Sequence, residues 1–168
     1  MDSESADPSQ PGQLRHEEFD RQLAVMMQAR DEGLITGIGL SNITHEHVMF
    51  ALERTEIVCV QNAFNLTDRS SKPVIEECTK CGIAFVPFFP LGSSFAPDNP
   101  VLGNEVVRRT AARLGRTPAQ IALAWTLSVA PNVLLIPGTS SVRHLEENLA
   151  AANIELDEGT RQQLNVVA

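Results

Sequence analysis

Ser41-Asn42 and Gln61-Asn62 are two pairs of uncharged polar residues, each at the end of a short apolar run. Amides and hydroxyls donate and accept together, so such pairs suit a neutral polar head such as a carboxamide. They also serve, more plainly, as turn caps. A third apolar run ends in Phe88-Phe89-Pro90-Leu91-Gly92, where an aromatic ring is placed to stack on a flat ring or to pack in a core. A fourth ends in Pro137-Gly138-Thr139-Ser140-Ser141 and runs straight into a helical pattern. There Gly138 permits a tight turn, and hydroxyls stand beside the free N–H groups of a helix start. By geometry and dipole that is an anion site, unless the helix is simply capped with nothing bound.

Other constellations carry less. GxSxG, the Walker A string and a full GxGxxG are absent, and Gly37-Ile-Gly39 holds only a GxG. His45 and His47 are two apart on a predicted helix, so they do not face each other and are expected to be solvated rather than metal-bound. Cys78-Thr79-Lys80-Cys81 is a lone CxxC at a helix end, just before Gly82. A zinc site needs about four ligands, and a redox pair usually opens a helix, so packing cysteines are expected. The adjacent pairs Glu17-Glu18, Glu76-Glu77 and Glu146-Glu147 point apart on helices and make no acid/base pair. Trp125 lies on an apolar helix face and reads as core.

The elements that must position these strings follow from spacing and punctuation. Phe19, Leu23, Met26 and Met27 recur at helical spacing until Gly33. Strands are predicted over Leu34 to Leu40, Ile57 to Val60, Ile83 to Phe88 and Val133 to Ile136. Helices are predicted from Thr44, its N-cap, to Arg54, then over Ser71 to Cys81 and Val101 to Leu114. Thr117-Pro118 opens another through Val129, and Ser140 to Ala152 and Asp157 to Val167 are the last two. Ser93 to Pro100 reads as a loop. Four short apolar strands alternate with helices, which predicts a parallel sheet covered on both faces. An open doubly wound sheet and part of a (β/α)8 barrel both fit, and in either ligands meet the C-terminal strand ends.

Composition narrows the classes. The chain has 168 residues, one ordinary domain, and 43% hydrophobic residues, enough for a core. Its net charge of −8, without a basic cluster, argues against nucleic-acid and membrane-surface partners. No apolar run approaches the roughly 20 residues that span a bilayer. Met1 to Gly12 is polar and acidic, unlike a secretory signal, so a cytoplasmic location is expected. Residues 1–15 read as a flexible lead-in.

Taken together, five strings resemble the C-terminal half of the aldo-keto reductase superfamily. They are Gly37-Ile-Gly39-Leu-Ser41-Asn42, then Val60-Gln61-Asn62 with Asn65, then Pro87 to Gly92 (PFFPLG), then Thr117 to Trp125 (TPAQIALAW). The fifth is Ile136 to Ser141 (IPGTSS), followed by Glu147-Asn148-Leu149. The likeness is greatest to bacterial members with a GTSS-type phosphate loop.

The resemblance implies an α/β fold: a partial (β/α)8 barrel, strands five to eight with their helices, over residues 16–168. It implies that Ser41, Asn42 and Gln61 bind a nicotinamide carboxamide. Phe88, with Pro90 and Leu91 beside it, falls where the family usually has a Tyr stacked under the ring. Gly138, Thr139 and Ser140 would face the adenosine-side phosphate, and Glu147 and Asn148 the adenine. His144 falls where many members have an Arg gripping the 2′-phosphate, with Arg143 beside it, so NADP(H) is implied and NAD(H) stays open. The family's catalytic Asp, Tyr, Lys and His lie in its first four β/α units, and this chain contains no tyrosine. The implied activity is hydride transfer to an aldehyde or ketone, with this chain inactive alone; the alternative is a non-catalytic dinucleotide-binding or assembly module. A half-barrel has open strand edges and an exposed inner face, so self-association or a complementary half-barrel is the expected partner, with a small carbonyl compound as substrate once completed.

Overall fold

Apolar residues at helical spacing build α1, His16–Asp31, which buries Phe19 and Leu23; Gly33, at φ 75°, turns the chain out of it. The computed structural model describes residues 16–92 and 98–167. The lead-in expected over residues 1–15, and residues 93–97 of the expected loop, lie outside the described residues.

Strand β1, Gly39–Ser41, is shorter than the apolar run suggested: residues 34–38 stay outside the strand. Helix α2, His45–Leu52, starts where Thr44 accepts the His47 N–H. Strand β2 is Cys59–Ala63 and helix α3 is Lys72–Cys81, closed by Gly82 at φ 69°. Strand β3 is Ala84–Phe88. The next helix, α4, Glu105–Leu114, begins later than expected because Asn104, not a residue near Val101, caps it, accepting from the N–H groups of Val106 and Val107. Helix α5, Pro118–Ser128, opens with a reciprocal Thr117/Gln120 capping box. Its residues from Gln120 to Trp125 and on to Thr126 are all buried, as befits a helix enclosed by its neighbours. Helix α6, Val142–Ala150, continues into a 3-10 turn at Ala151–Asn153, and α7, Glu158–Asn165, is capped by Asp157.

The strands pair in the order β1-β2-β3, both pairs parallel. Gly39 allows the first pairing: a Cβ there would stand 2.7 Å from the Cys59 sulfur. Alternate residues then face opposite sides. Leu40, Val60 and Phe85 point into the core with residues of α1 to α5 and α7. Gly39, Ser41, Cys59, Gln61, Ala63, Ala84, Val86 and Phe88 lie on the other side and are exposed or half-buried. The expectation of cover on both faces is therefore corrected: among the described residues, helices cover one face only.

The fourth predicted strand, Val133 to Ile136, is reduced to one parallel bridge, Phe85 with Val133. The Phe85 N–H donates to the Asn132 carbonyl and the Leu134 N–H to the Phe85 carbonyl, each at 2.9 Å. The next rung would need an N–H from Pro87, and proline has none. No helix among the described residues is long and apolar enough to cross a membrane.

Candidate functional site

The β1–β2 register sets Ser41 directly opposite Gln61, both on the uncovered face. Asn42 follows at φ 54°, a left-handed conformation that asparagine tolerates, and its N–H donates to the Gln61 carbonyl at 2.9 Å. The chain thus bends away from the sheet as soon as Ser41 is placed. Ser41 and Gln61 lie within strands rather than just after them, the one shift from their predicted positions.

Asn62 points the other way and is buried. It accepts the Ile43 N–H at 3.1 Å and donates to the Ile43 carbonyl at 2.6 Å and to Ser71 Oγ at 3.3 Å. It fastens the loop behind Ser41 and Asn42. Asn65 is buried as well. Its Oδ1 accepts the N–H groups of Thr67 and Asp68, each at 2.9 Å, and its Nδ2 donates to the Phe89 carbonyl at 3.0 Å. That bond holds Phe89 at φ 54° and sets how β3 ends. The positioning roles of these two residues escaped the sequence reading; the only local signal was an amide inside or beside an apolar strand, which would have to be bonded if buried.

Phe88 is half-buried and meets Phe89 edge-on, with ring centroids 5.4 Å apart. Asn99 Nδ2 donates to the Leu91 carbonyl at 2.8 Å. A groove of about 190 Å³ is lined by Pro87 to Gly92 and by Ile136, Pro137 and Gly138. Phe88, Pro90, Leu91 and Gly138, from separate strings, therefore share one concave surface.

Beyond the groove the chain enters α6. Thr139 Oγ1 accepts the Ser141 N–H at 3.1 Å, and Ser141 Oγ accepts the His144 N–H at 3.4 Å. Thr139, Ser140, Arg143 and His144 are exposed, and Glu147 and Asn148 half-buried. Arg143 reaches forward one turn to Glu147 at 3.4 Å and also meets His144 Nε2 at 3.1 Å. Gln120 Nε2 donates to the Glu147 carbonyl at 3.1 Å and ties α6 to α5. Ser41, Asn42 and Gln61 do not line the Phe88 groove; Ser41 and Gln61 share its sheet face two residues earlier along the strands, and Asn42 follows β1.

The remaining candidates fall away. His47 is buried, not solvated: Phe19 packs on it at 4.7 Å and its Nδ1 lies 3.0 Å from Thr44 Oγ1, because α1 covers that face of α2. Among the described residues no group of three His, Cys, Asp or Glu is placed to hold a metal. Cys78 is buried, and burial pushes its thiol up to about 11, which suits packing rather than redox chemistry.

Residues 4–167 match the model of the aldo/keto reductase family. The chain belongs to that family. Over 150 residues it is 45% identical to pyridoxine 4-dehydrogenase of Escherichia coli K12, covering 89% of this chain and 51% of that protein. An uncharacterized oxidoreductase of Schizosaccharomyces pombe is 41% identical over 150 residues, with 45% of its length covered. The chain thus spans about half the length of the curated relatives it matches. A thermostable aldo-keto reductase, Tm1743, solved with the inhibitor epalrestat, superposes with a TM-score of 0.78 at 31% identity, over 89% of this chain and 55% of that one. Aldose reductase from Giardia lamblia shares the fold, with a TM-score of 0.74 at 24% identity over 87% of this chain and 49% of that one.

Proposed function

We propose that this chain is the dinucleotide-holding C-terminal half of an NAD(P)H-dependent aldo-keto reductase, with residues 16–168 forming strands five to eight of a partial (β/α)8 barrel and their helices. One observation carries the reading. Ser41 and Gln61 stand opposite each other on the uncovered sheet face, and Phe88 lies farther along the same face in a groove shared with Gly138. A planar ring bearing a carboxamide fits that arrangement, because Ser41, Asn42 and Gln61 donate and accept together and Phe88 offers an aromatic face. Pro90 and Leu91 would wall the ring. Gly138, Thr139 and Ser140, at the start of α6, would hold a phosphate, helped by the helix dipole. Glu147 and Asn148 would face the adenine. Arg143 is engaged with Glu147, so a 2′-phosphate would have to compete for it, with His144 alongside. By the family resemblance NADP(H) is the first choice, and the engagement of Arg143 keeps NAD(H) as the second.

When bound, the dinucleotide would supply the hydride that reduces an aldehyde or ketone. This chain's residues would bind and orient it. They include no tyrosine to protonate a carbonyl oxygen. On this reading the catalytic Asp, Tyr, Lys and His come from a complementary first half, and the reaction takes place in the cytoplasm. The name of the Escherichia coli relative makes pyridoxine the first alcohol to try in the reverse direction.

Calorimetric titration with NADPH and NADH tests the binding. One site, weakened roughly tenfold by Gln61→Ala, is expected, in line with loss of one or two hydrogen bonds. Failure of both dinucleotides to bind overturns the reading. A second reading, an assembly module without turnover, is favoured by the apolar residues that α6 leaves exposed, Val142, Leu145 and Leu149. Mixing with a first-half chain separates the two: restored reductase activity supports the enzyme, and a stable inactive complex supports the module.

A further inference from the structure

A second concave surface lies in the helix layer, between α4 and α7, on the opposite side of the sheet from Ser41, Gln61 and Phe88. Its volume is about 590 Å³, and Val106, Arg109, Ala112, Arg113 and Val166 are among its lining residues. Arg109 and Arg113 stand one turn apart on the same side of α4, a spacing at which like charges repel. The chain carries 21 acidic residues against 13 basic ones, so carboxylate partners are plentiful. None is supplied: among the described residues, neither arginine forms an ion pair. The Arg109 side chain makes no hydrogen bond to a described residue either. Arg113 uses one N–H to donate to Thr160 Oγ1 at 2.5 Å, which braces it against α7 and leaves its remaining donors. Asp157 feels the charge of Arg113 but is committed to capping α7, where it accepts the Thr160 N–H at 2.7 Å.

Thr110 and Gln163 also line the surface, and the remainder is apolar. Val106 and Ala112 come from α4, and Val166, just past α7, is 76% exposed. Two guanidiniums without a salt bridge among the described residues, Arg113 with one N–H used by Thr160, beside a largely apolar floor complement a particular kind of ligand, charged at one end and greasy along its length. The volume falls within the roughly 300–1,000 Å³ of small-molecule sites.

We propose that this groove binds a small amphipathic monocarboxylate. Its carboxylate is held between Arg109 and Arg113 by charge-assisted hydrogen bonds, and its hydrocarbon body lies over Val106, Ala112 and Val166. The site is independent of the dinucleotide reading, since it shares no residue with it.

Octanoate is the probe, titrated into the 168-residue chain by calorimetry and by amide-shift mapping, with 1-octanol as the uncharged control. Octanoate is expected to bind at one site and to shift amides of α4 and α7. Arg109→Gln is expected to weaken it roughly tenfold, as loss of a charge-assisted pair should. Octanol is expected to bind more weakly still, and added salt to weaken octanoate alone. Because Arg109 makes no bond within the described structure, Arg109→Gln leaves the fold intact, and an unchanged far-ultraviolet spectrum checks this. The proposal is overturned if octanoate does not bind, if Arg109→Gln binds it as tightly as the parent, if octanol binds equally well, or if the shifts fall outside α4 and α7.

Discussion

The Asn65 side-chain amide donates to the Phe89 main-chain carbonyl at 3.0 Å, across 24 residues of sequence. A buried side chain in the β2–α3 loop thereby fixes the residue at which β3 ends and the groove beside Phe88 begins. Asn65→Ala strips the donor from Phe89 and the acceptor from Thr67 and Asp68. It is expected to cost about 1–3 kcal/mol, the usual penalty for stranding buried polar groups. Asn65→Asp keeps the acceptor and should recover part of the loss. Urea unfolding of both variants measures this; an Asn65→Ala midpoint equal to the parent's would show that the bond does not organise the loop.

Arg69 is the clasp for the C-terminal helix. Its guanidinium donates to the carbonyls of Leu164, Asn165 and Val167 and lies 4.8 Å from the Trp125 ring centroid. A cation there satisfies carbonyls that a helix end leaves open. Arg69→Lys retains the charge but loses the planar fork, and is expected to cost about 1–2 kcal/mol. Burial lowers the Arg69 pKa, yet the group stays charged at neutral pH, so the loss should not vary from about pH 5 to about pH 9. Hydrogen exchange is the sharper readout: α7 amides should exchange faster while β2 amides stay protected.

The thiols should differ in reactivity. Cys81 is exposed and Cys78 is buried, its pKa pushed up to about 11 by burial first and by neighbouring negative charge second. Iodoacetamide is expected to label Cys81 in the native chain and Cys78 only on unfolding. The raised pKa also has a thermodynamic sign. The neutral thiol is favoured in the fold, so its contribution is full below the ordinary value of 9.0 and is lost as pH rises through about 11. Alkaline unfolding should therefore be shallower in Cys78→Ala, although that variant is less stable at every pH for loss of packing.

Self-association is the last expectation. Leu145 and Leu149 are 49% and 67% exposed on α6, and the uncovered sheet face lies open as well. Exposed apolar surface of this extent seeks a partner. Sedimentation velocity should show a dimer or larger species, and the Leu145→Lys, Leu149→Lys double variant should move it toward monomer. A parent chain that stays monomeric at every concentration would count against the half-barrel.

Much of the fold was legible because its signals are local. Thr44, Thr117 and Asp157 cap helices through bonds spanning three residues, and Gly33, Gly82 and Gly115 end them through their own backbone freedom. The strings around Ser41, Gln61, Phe88 and Gly138 were equally visible, since each is contiguous in sequence.

Tertiary structure alone decided what depends on distant partners. An apolar run names a strand but not its pairing, so sequence could not foresee that Pro87 would deny Val133 to Ile136 a second rung. Nor could it say which sheet face goes uncovered, because that turns on where α1 to α5 and α7 pack. Its spacing on a helix makes His47 look solvated, and only the packing of α1 against α2 buries it. Asn62, Asn65 and Arg69 are ordinary polar residues in the sequence; burial beside carbonyls up to 98 residues away makes them fasteners. Sequence by itself determined the helices, most of their caps and the candidate strings. Register, burial and the open face came from the packing, because those properties belong to pairs of segments and not to either one.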